Sequence, residues 1–131
     1  MRIIILNSLF CLYLFGCSSK QPSINSSYAT KLSDTISILL KEEKFDEICN
    51  LFDNNMRSQL SKEKFAAIWA QLNTQYGKYS GSKGVSQVEN LPDIGIRTIQ
   101  NCQFGDKELY LSLVINNQNK ISGIFFSPQK Q

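Results

Sequence analysis

Apolar residues recur at the spacing of an α-helix between residues 28 and 76. The first stripe occupies one helical face, at Tyr28, Leu32, Ile36, Leu39 and Leu40. A second stripe begins at Phe45, and a third lies between Phe65 and Tyr76. The pattern predicts three helices.

Residues at the ends of these stripes are of the types that cap helices. Ser26 or Ser27 is placed to cap the first helix and Ser61 the last, because a hydroxyl oxygen accepts N–H groups of the first turn. Gly77 suits the C-terminal end of the last helix. Asp53 is placed to cap a further short turn between the second and third helices.

After Gly77 the apolar period changes to two, which is typical of strands. An irregular strand with glycine bends is predicted over residues 78–90, and three further strands over 93–104, 108–116 and 120–128. Helices followed by strands indicate an α+β domain. We expect the three N-terminal helices to pack on one face of a curved antiparallel sheet of about four strands.

The first residues have the composition of a secretory signal peptide. Arg2 precedes a mostly apolar run from Ile3 to Phe15, which is too short to cross a bilayer as a helix. The segment Leu14–Cys17 resembles the lipobox of bacterial lipoproteins, in which the signal is cut just before a lipid-modified cysteine. The resemblance implies a signal peptide at 1–16 and lipidation of Cys17. The alternative is an ordinary signal peptide with Cys17 incidental.

A polar segment, residues 17–27, separates the expected anchor from the folded domain, residues 28–131. It contains Pro22 and lacks periodicity, so it is expected to be a flexible tether. Two or three acyl chains on Cys17 would hold the protein firmly on a membrane. An aspartate directly after the lipidated cysteine resembles a signal for retention in the inner membrane. This chain has Ser18 at that position, so we expect the protein to be anchored at the periplasmic face of the outer membrane.

Composition excludes several classes of function. The net charge is +3 and the cations are scattered among acids, so no basic stripe for nucleic acid is present. The chain contains no histidine, which removes Ser-His-Asp and Cys-His catalysis and the commonest transition-metal ligand. The cysteine spacing matches no zinc site, and residues 79–84 lack the strand–loop–helix frame of a phosphate loop. No metal and no cofactor are expected.

Cys49 and Cys102 are the cysteines that remain after Cys11 is removed with the signal and Cys17 is acylated. In an oxidising compartment two such residues often form a disulfide. The alternative is a pair of buried free thiols, which behave as small hydrophobic groups. The sequence leaves both interpretations open.

Seven residues are candidates for the lining of a small apolar pocket: Phe65, Trp69, Tyr76, Thr98, Phe104, Tyr110 and Phe125. Tyr76, Thr98 and Tyr110 would be its polar groups. The alternative is that the aromatic side chains, with Phe126, simply fill the core. Asp53 is the acid around which a pocket enzyme would be built, although helix capping explains it more economically.

The segment from residue 40 to residue 128 resembles a small bacterial family called domain of unknown function 3887. The shared features are Phe52, Asp53 and Met56, then Trp69, Gly77, and finally Lys120, Ile121 and Gly123. The resemblance implies a cone-shaped fold similar to cystatin-like and nuclear-transport-factor-like domains, in which a curved sheet wraps a long helix.

These observations favour a membrane-anchored, non-catalytic periplasmic lipoprotein that binds a partner protein or a small apolar ligand. The alternative is a small, isomerase-like pocket enzyme that uses a buried carboxylate. A third hypothesis, an inert structural lipoprotein, predicts a filled core without a cavity.

Overall fold

The computed structural model describes residues 25–130, and within them four helices precede four strands. The helices are α1 (Ser26–Lys41), α2 (Phe45–Asn50), α3 (Asn54–Gln59) and α4 (Lys62–Tyr76). The strands are β1 (Tyr79–Leu91), β2 (Gly95–Phe104), β3 (Lys107–Asn116) and β4 (Ile121–Ser127). The α+β class and the four antiparallel strands are confirmed. The predicted signal peptide and the expected anchor at Cys17 lie outside the described residues.

The short turn expected after Asp53 is itself a helix, α3, so this part of the chain has four helices instead of three. The carboxylate of Asp53 accepts the backbone N–H of Met56 at 2.8 Å, as the cap prediction requires. The hydroxyl of Ser61 accepts the N–H of Lys64 at 3.3 Å and caps α4. Both predicted caps are therefore confirmed.

The cap of α1 was expected at Ser26 or Ser27, and this prediction is wrong. The N-cap is Asn25, whose side-chain oxygen accepts the backbone N–H of Ser27 at 2.8 Å. Asparagine and serine are about equally good caps. Three successive residues of capping type therefore leave the start of the helix undetermined by local preference alone.

The strands form an open sheet in the order β1-β2-β3-β4, each antiparallel to its neighbour. The pairing of β1 with β2 shifts register at three places between Tyr79 and Gln87. Gly81 and Gly84 lie in this segment with positive φ, in agreement with the expected glycine bends. β1 is therefore an irregular edge strand.

Alternate residues of the central strands, β2 and β3, face the helices and form the sheet's side of the core. These are Ile96, Cys102, Phe104, Leu109, Leu111, Leu113 and Ile115, all buried. α1 is fixed to this face by the side chain of Gln100, whose amide donates to the carbonyl oxygen of Ser33 at 3.0 Å. α4 reaches the same face through Trp69, which packs against Phe104 with ring centroids 5.5 Å apart.

The junction of α2 and α3 runs beside the start of β4. Phe52 forms a parallel bridge with Ile121. The N–H of Asp53 donates to the carbonyl oxygen of Ile121 at 2.9 Å, and the N–H of Ile121 donates to the carbonyl oxygen of Leu51 at 2.8 Å. This contact covers the outer edge of β4 at its first residue. Among residues 25–130, no helix is long and apolar enough to cross a membrane.

Candidate functional site

Four of the seven candidate pocket residues lie in the core: Phe65, Trp69, Thr98 and Phe104. Trp69 is the centre of an aromatic cluster. Its ring centroid lies 5.0 Å from that of Tyr79, 5.5 Å from that of Phe104 and 5.8 Å from that of Phe126. Aromatic pairs at such distances attract each other beyond the effect of area burial. The rings therefore fill the space between α4 and the sheet with one another.

Phe65 belongs to a second aromatic group. Its ring packs against Phe45 with centroids 5.4 Å apart and against Phe52 with centroids 6.0 Å apart. Phe52 precedes the Asp53 cap and is buried against the start of β4. Phe65 thus joins α2 and α4 to the segment that contacts Ile121.

The other three candidates lie elsewhere. Tyr110 and Phe125 occupy the sheet face away from the helices, and Phe125 is 54% exposed. Tyr76 is half-buried at the end of α4, where the ammonium of Lys107 lies 6.0 Å from its ring centroid. The structure therefore does not bring the seven residues around one cavity.

The polar candidate, Thr98, belongs to a buried hydrogen-bonded network between α1 and the sheet. Its hydroxyl bonds to that of Ser33. The amide of Gln100 donates to the carbonyl oxygen of Ser33 at 3.0 Å, and its oxygen accepts from Ser82 at 2.7 Å. Within the described residues every buried side-chain nitrogen and oxygen has a hydrogen-bond partner. The network therefore offers no unpaired group to a ligand.

Cys49 and Cys102 are free thiols with different neighbours in the structure. Cys102 is buried, and burial raises the pKa of its thiol to about 12. Tyr79 lies beside it and donates its hydroxyl to the carbonyl oxygen of Ser37 at 3.1 Å. The half-buried Cys49 lies among charges of α2, α3 and α4, and burial followed by the nearby Asp46 raises its pKa. A disulfide between Cys49 and Cys102 stays a prediction.

A surface cleft of about 390 Å³ lies where the α2–α3 junction meets the turn between β3 and β4. It is lined by Phe52, Asp53, Asn54, Arg57, Gln118 and Lys120. The sequence pointed to Asp53 alone as a chemical group here. This cleft brings together Phe52, Asp53 and Lys120, three of the residues on which the sequence resemblance rests. We refer to it as the Asp53 cleft.

Both carboxylate oxygens of Asp53 are engaged within the protein. Oδ1 accepts the N–H of Met56 at 2.8 Å, and Oδ2 accepts the side-chain amide of Asn116 at 3.4 Å. The cap joins α3 to the end of β3. Such a carboxylate has a structural task already, which favours the capping interpretation over a catalytic one.

Arg57 also contributes to the structure. Its Nε donates to the carbonyl oxygen of Cys49 at 3.2 Å, and its Nη2 donates to that of Asn50 at 2.9 Å. These carbonyls belong to the last turn of α2, where a cation is favourable. Sequence reasoning missed this role, because nothing local relates an arginine of α3 to the end of α2.

A smaller cleft, of about 190 Å³, lies between the ends of α1 and α4 and the start of β1. Trp69 and Tyr79 form its apolar side, and Lys41, Glu43 and Lys78 lie around it. In the described part of the chain no three potential metal ligands come together.

A comparison of the chain with curated proteins and with solved structures finds no match. Residues 33–124 match the family described as "Protein of unknown function (DUF3887)". This range includes α2, α3, α4, the first three strands and the Phe52–Ile121 contact. The chain therefore belongs to the DUF3887 family.

Proposed function

We propose that the protein is a lipid-anchored, non-catalytic binding module whose Asp53 cleft docks a partner protein. In this proposal Cys17 carries the lipid, the domain faces the periplasm from the outer membrane, and the sheet is the curved sheet of a cone-shaped, cystatin-like fold. The single observation that carries the binding role is that the predicted pocket aromatics pack against one another, whereas a cleft with available donors opens at the surface.

This packing weighs against the small apolar ligand. A ligand pocket has to bury most of its ligand among apolar side chains. The Trp69 cluster is closed by ring contacts of 5.0–5.8 Å, and Tyr110 and Phe125 lie on the opposite face of the sheet. A partner protein needs only an accessible surface.

The charge of the Asp53 cleft favours an acidic partner surface. The carboxylate of Asp53 is engaged by Met56 and Asn116. Lys120 is exposed and forms no salt bridge within residues 25–130, and the guanidinium of Arg57 keeps N–H groups beyond its two capping bonds. Lysine and arginine are donors only, so their natural complement is a carboxylate.

The test is photo-crosslinking of the full chain in intact bacterial cells. A photoreactive amino acid at Gln118, on the rim of the cleft, should give an adduct with one defined protein. The same amino acid at Gln71, exposed on α4, is the matched control and should not. Lys120→Glu should abolish the adduct, whereas Lys64→Glu should leave it. An equal adduct from Gln71, or no effect of Lys120→Glu, would refute docking in the cleft.

The anchor is tested separately. Cys17→Ser should release the protein from the membrane fraction once signal cleavage has been verified by mass. Retention of the processed variant in the membrane would show that Cys17 is not the attachment point. The result does not depend on the cleft, so the two parts of the proposal fail independently.

A further inference from the structure

The outer edge of β4 is only partly covered. Leu51 and Asp53 bond to the N–H and C=O of Ile121, at 2.8 and 2.9 Å. Beyond Ile121, the backbone of β4 has no hydrogen-bond partner on this side within residues 25–130. An edge strand with unpaired N–H and C=O groups is a template for another strand.

The register identifies which groups point outwards. The hydroxyl of Ser122 donates to the carbonyl oxygen of Val114, so Val114 turns its backbone groups toward β4. Val114 is opposite Gly123, and Ser112 is opposite Phe125, so Gly123 and Phe125 bond to β3. By alternation, Ile124 and Phe126 turn their N–H and C=O away from the sheet.

The two edges of the sheet differ in their protection. β1 carries Lys83 and Glu89, and its pairing shifts register three times, all of which hinder the addition of a strand. β4 has no charged residue from Ile121 to Ser127. Pro128, which lacks an N–H, ends the open stretch. The unprotected edge is therefore short: it lies between Ile121 and Pro128, and its outward backbone groups belong to Ile124 and Phe126.

We propose that β4 pairs antiparallel with β4 of a second copy of this chain, in the register that places Phe125 opposite the partner's Phe125. In this register Ile124 of each copy is opposite Phe126 of the other, so the outward groups form four backbone hydrogen bonds. The Phe125 side chains meet as a cross-strand aromatic pair, and the exposed ring becomes covered. No like charges are opposed, because the strand has none.

The contact is small compared with the roughly 1,600 Å² that a standard stable interface buries, so we expect weak pairing between free copies. The inference rests on the proposed lipid anchor in one respect: anchored copies share one surface, where their effective concentration is much higher. The inference does not use the Asp53 cleft, and it stands or fails independently of the docking proposal.

The test is disulfide trapping of the full chain in isolated membranes with a mild oxidant. The Cα atoms of a directly opposed, non-hydrogen-bonded pair lie about 4.5 Å apart, within the range of a disulfide. Phe125→Cys should therefore give a covalent dimer on a non-reducing gel, above the level of the parental chain. Ser127→Cys, on the same strand, is the matched control: its partner position is Gly123, so its dimer yield should be about tenfold lower.

A second pair of variants distinguishes specific strand pairing from random collisions between copies. Phe125→Lys places like charges opposite each other and should abolish chemical crosslinking between copies, whereas Ile38→Lys, on α1 at a residue 58% exposed, should not. Both variants should keep the thermal melting temperature of the parental chain. Equal dimer yields from positions 125 and 127, no dimer from Phe125→Cys, or trapping of a different protein would each overturn the proposal.

Discussion

The backbone N–H of Asp53 donates to the carbonyl oxygen of Ile121 over 2.9 Å, and this bond joins two segments that are distant in sequence and both lie within the family match. The same Asp53 caps α3 through its carboxylate and bonds to Asn116 at the end of β3. One residue therefore fixes a helix start and a strand edge together. This arrangement explains an aspartate beside the cleft without any catalytic task.

Replacement of Asp53 tests that explanation. Asp53→Ala should lower the free energy of unfolding by about 1 kcal/mol, because the N–H of Met56 loses its acceptor. Asp53→Asn should cost only a few tenths of that, since asparagine caps nearly as well. Urea unfolding of both variants measures the difference. If Asp53→Asn instead abolished a cellular phenotype while stability was kept, the pocket-enzyme alternative would be favoured.

The hydrogen bond between Ser33 and Thr98 allows a double-mutant cycle. Thr98→Val should cost about 1–3 kcal/mol, because the buried hydroxyl of Ser33 loses its partner on the sheet. The double variant with Ser33→Ala should be less destabilised than the sum of the two single variants. Denaturant unfolding of the four proteins gives the coupling energy, and strict additivity would show that the two hydroxyls act independently.

The period of the apolar residues was sufficient to predict α1, α2, α4 and the four strands, and residue type was sufficient for the caps at Asp53 and Ser61. The helix α3 was expected only as a short turn capped by Asp53, because it has six residues and no apolar stripe. The Asp53 cleft was not expected at all. Its walls come from two segments that are distant in sequence, one around Asp53 and the other at Gln118 and Lys120. Which loops become neighbours depends on the sheet order, and no local pattern encodes that.

The aromatic candidates show a different limit. The sequence shows that residues 69 and 104 are aromatic. Only the structure shows that the rings of Trp69 and Phe104 pack against each other, with their centroids 5.5 Å apart. The strand period does assign Tyr110 to the face opposite Leu109, and the register agrees. A sequence can therefore tell which face a ring occupies more readily than whether that face encloses a cavity.

Gly77 ends α4 with φ of +106°, in a region that only glycine occupies readily. An added Cβ would lie 3.0 Å from the Cα of Gly105. Gly77→Ala should therefore cause both backbone strain at residue 77 and a steric clash with the backbone of Gly105. We expect a loss of about 3 kcal/mol in unfolding free energy. Gly84→Ala is the matched control: its φ is +95° and a Cβ there meets nothing within 4 Å, so about 1 kcal/mol is expected. Equal losses in chemical denaturation would mean that the approach to Gly105 has no energetic weight.

Cys102 should make the stability of the protein depend on alkaline pH. Its folded-state pKa of about 12 lies above the ordinary value of 9.0, because burial disfavours the thiolate. Above pH 9 the unfolded chain therefore loses a proton that the folded chain keeps, and stability falls as pH rises toward 12. One such group contributes a slope of about 1.4 kcal/mol per pH unit. The neighbouring Tyr79 has a raised pKa for the same reason, burial, and adds to the fall at higher pH.

The measurement is urea unfolding of the reduced protein between pH 8 and pH 11. Cys102→Ala should lower the free energy of unfolding at every pH, because packing is lost. It should also remove the pH dependence that the Cys102 thiol contributes, so the stabilities of the variant and the parental chain should converge as pH rises. Cys49→Ala is the control, because Cys49 is only half-buried and should change the slope less. If the stabilities of Cys102→Ala and the parental chain instead changed with pH in parallel, burial would not be keeping the Cys102 thiol neutral. A mass two protons lower for the non-reduced protein would instead reveal the disulfide, and the pH argument would then not apply.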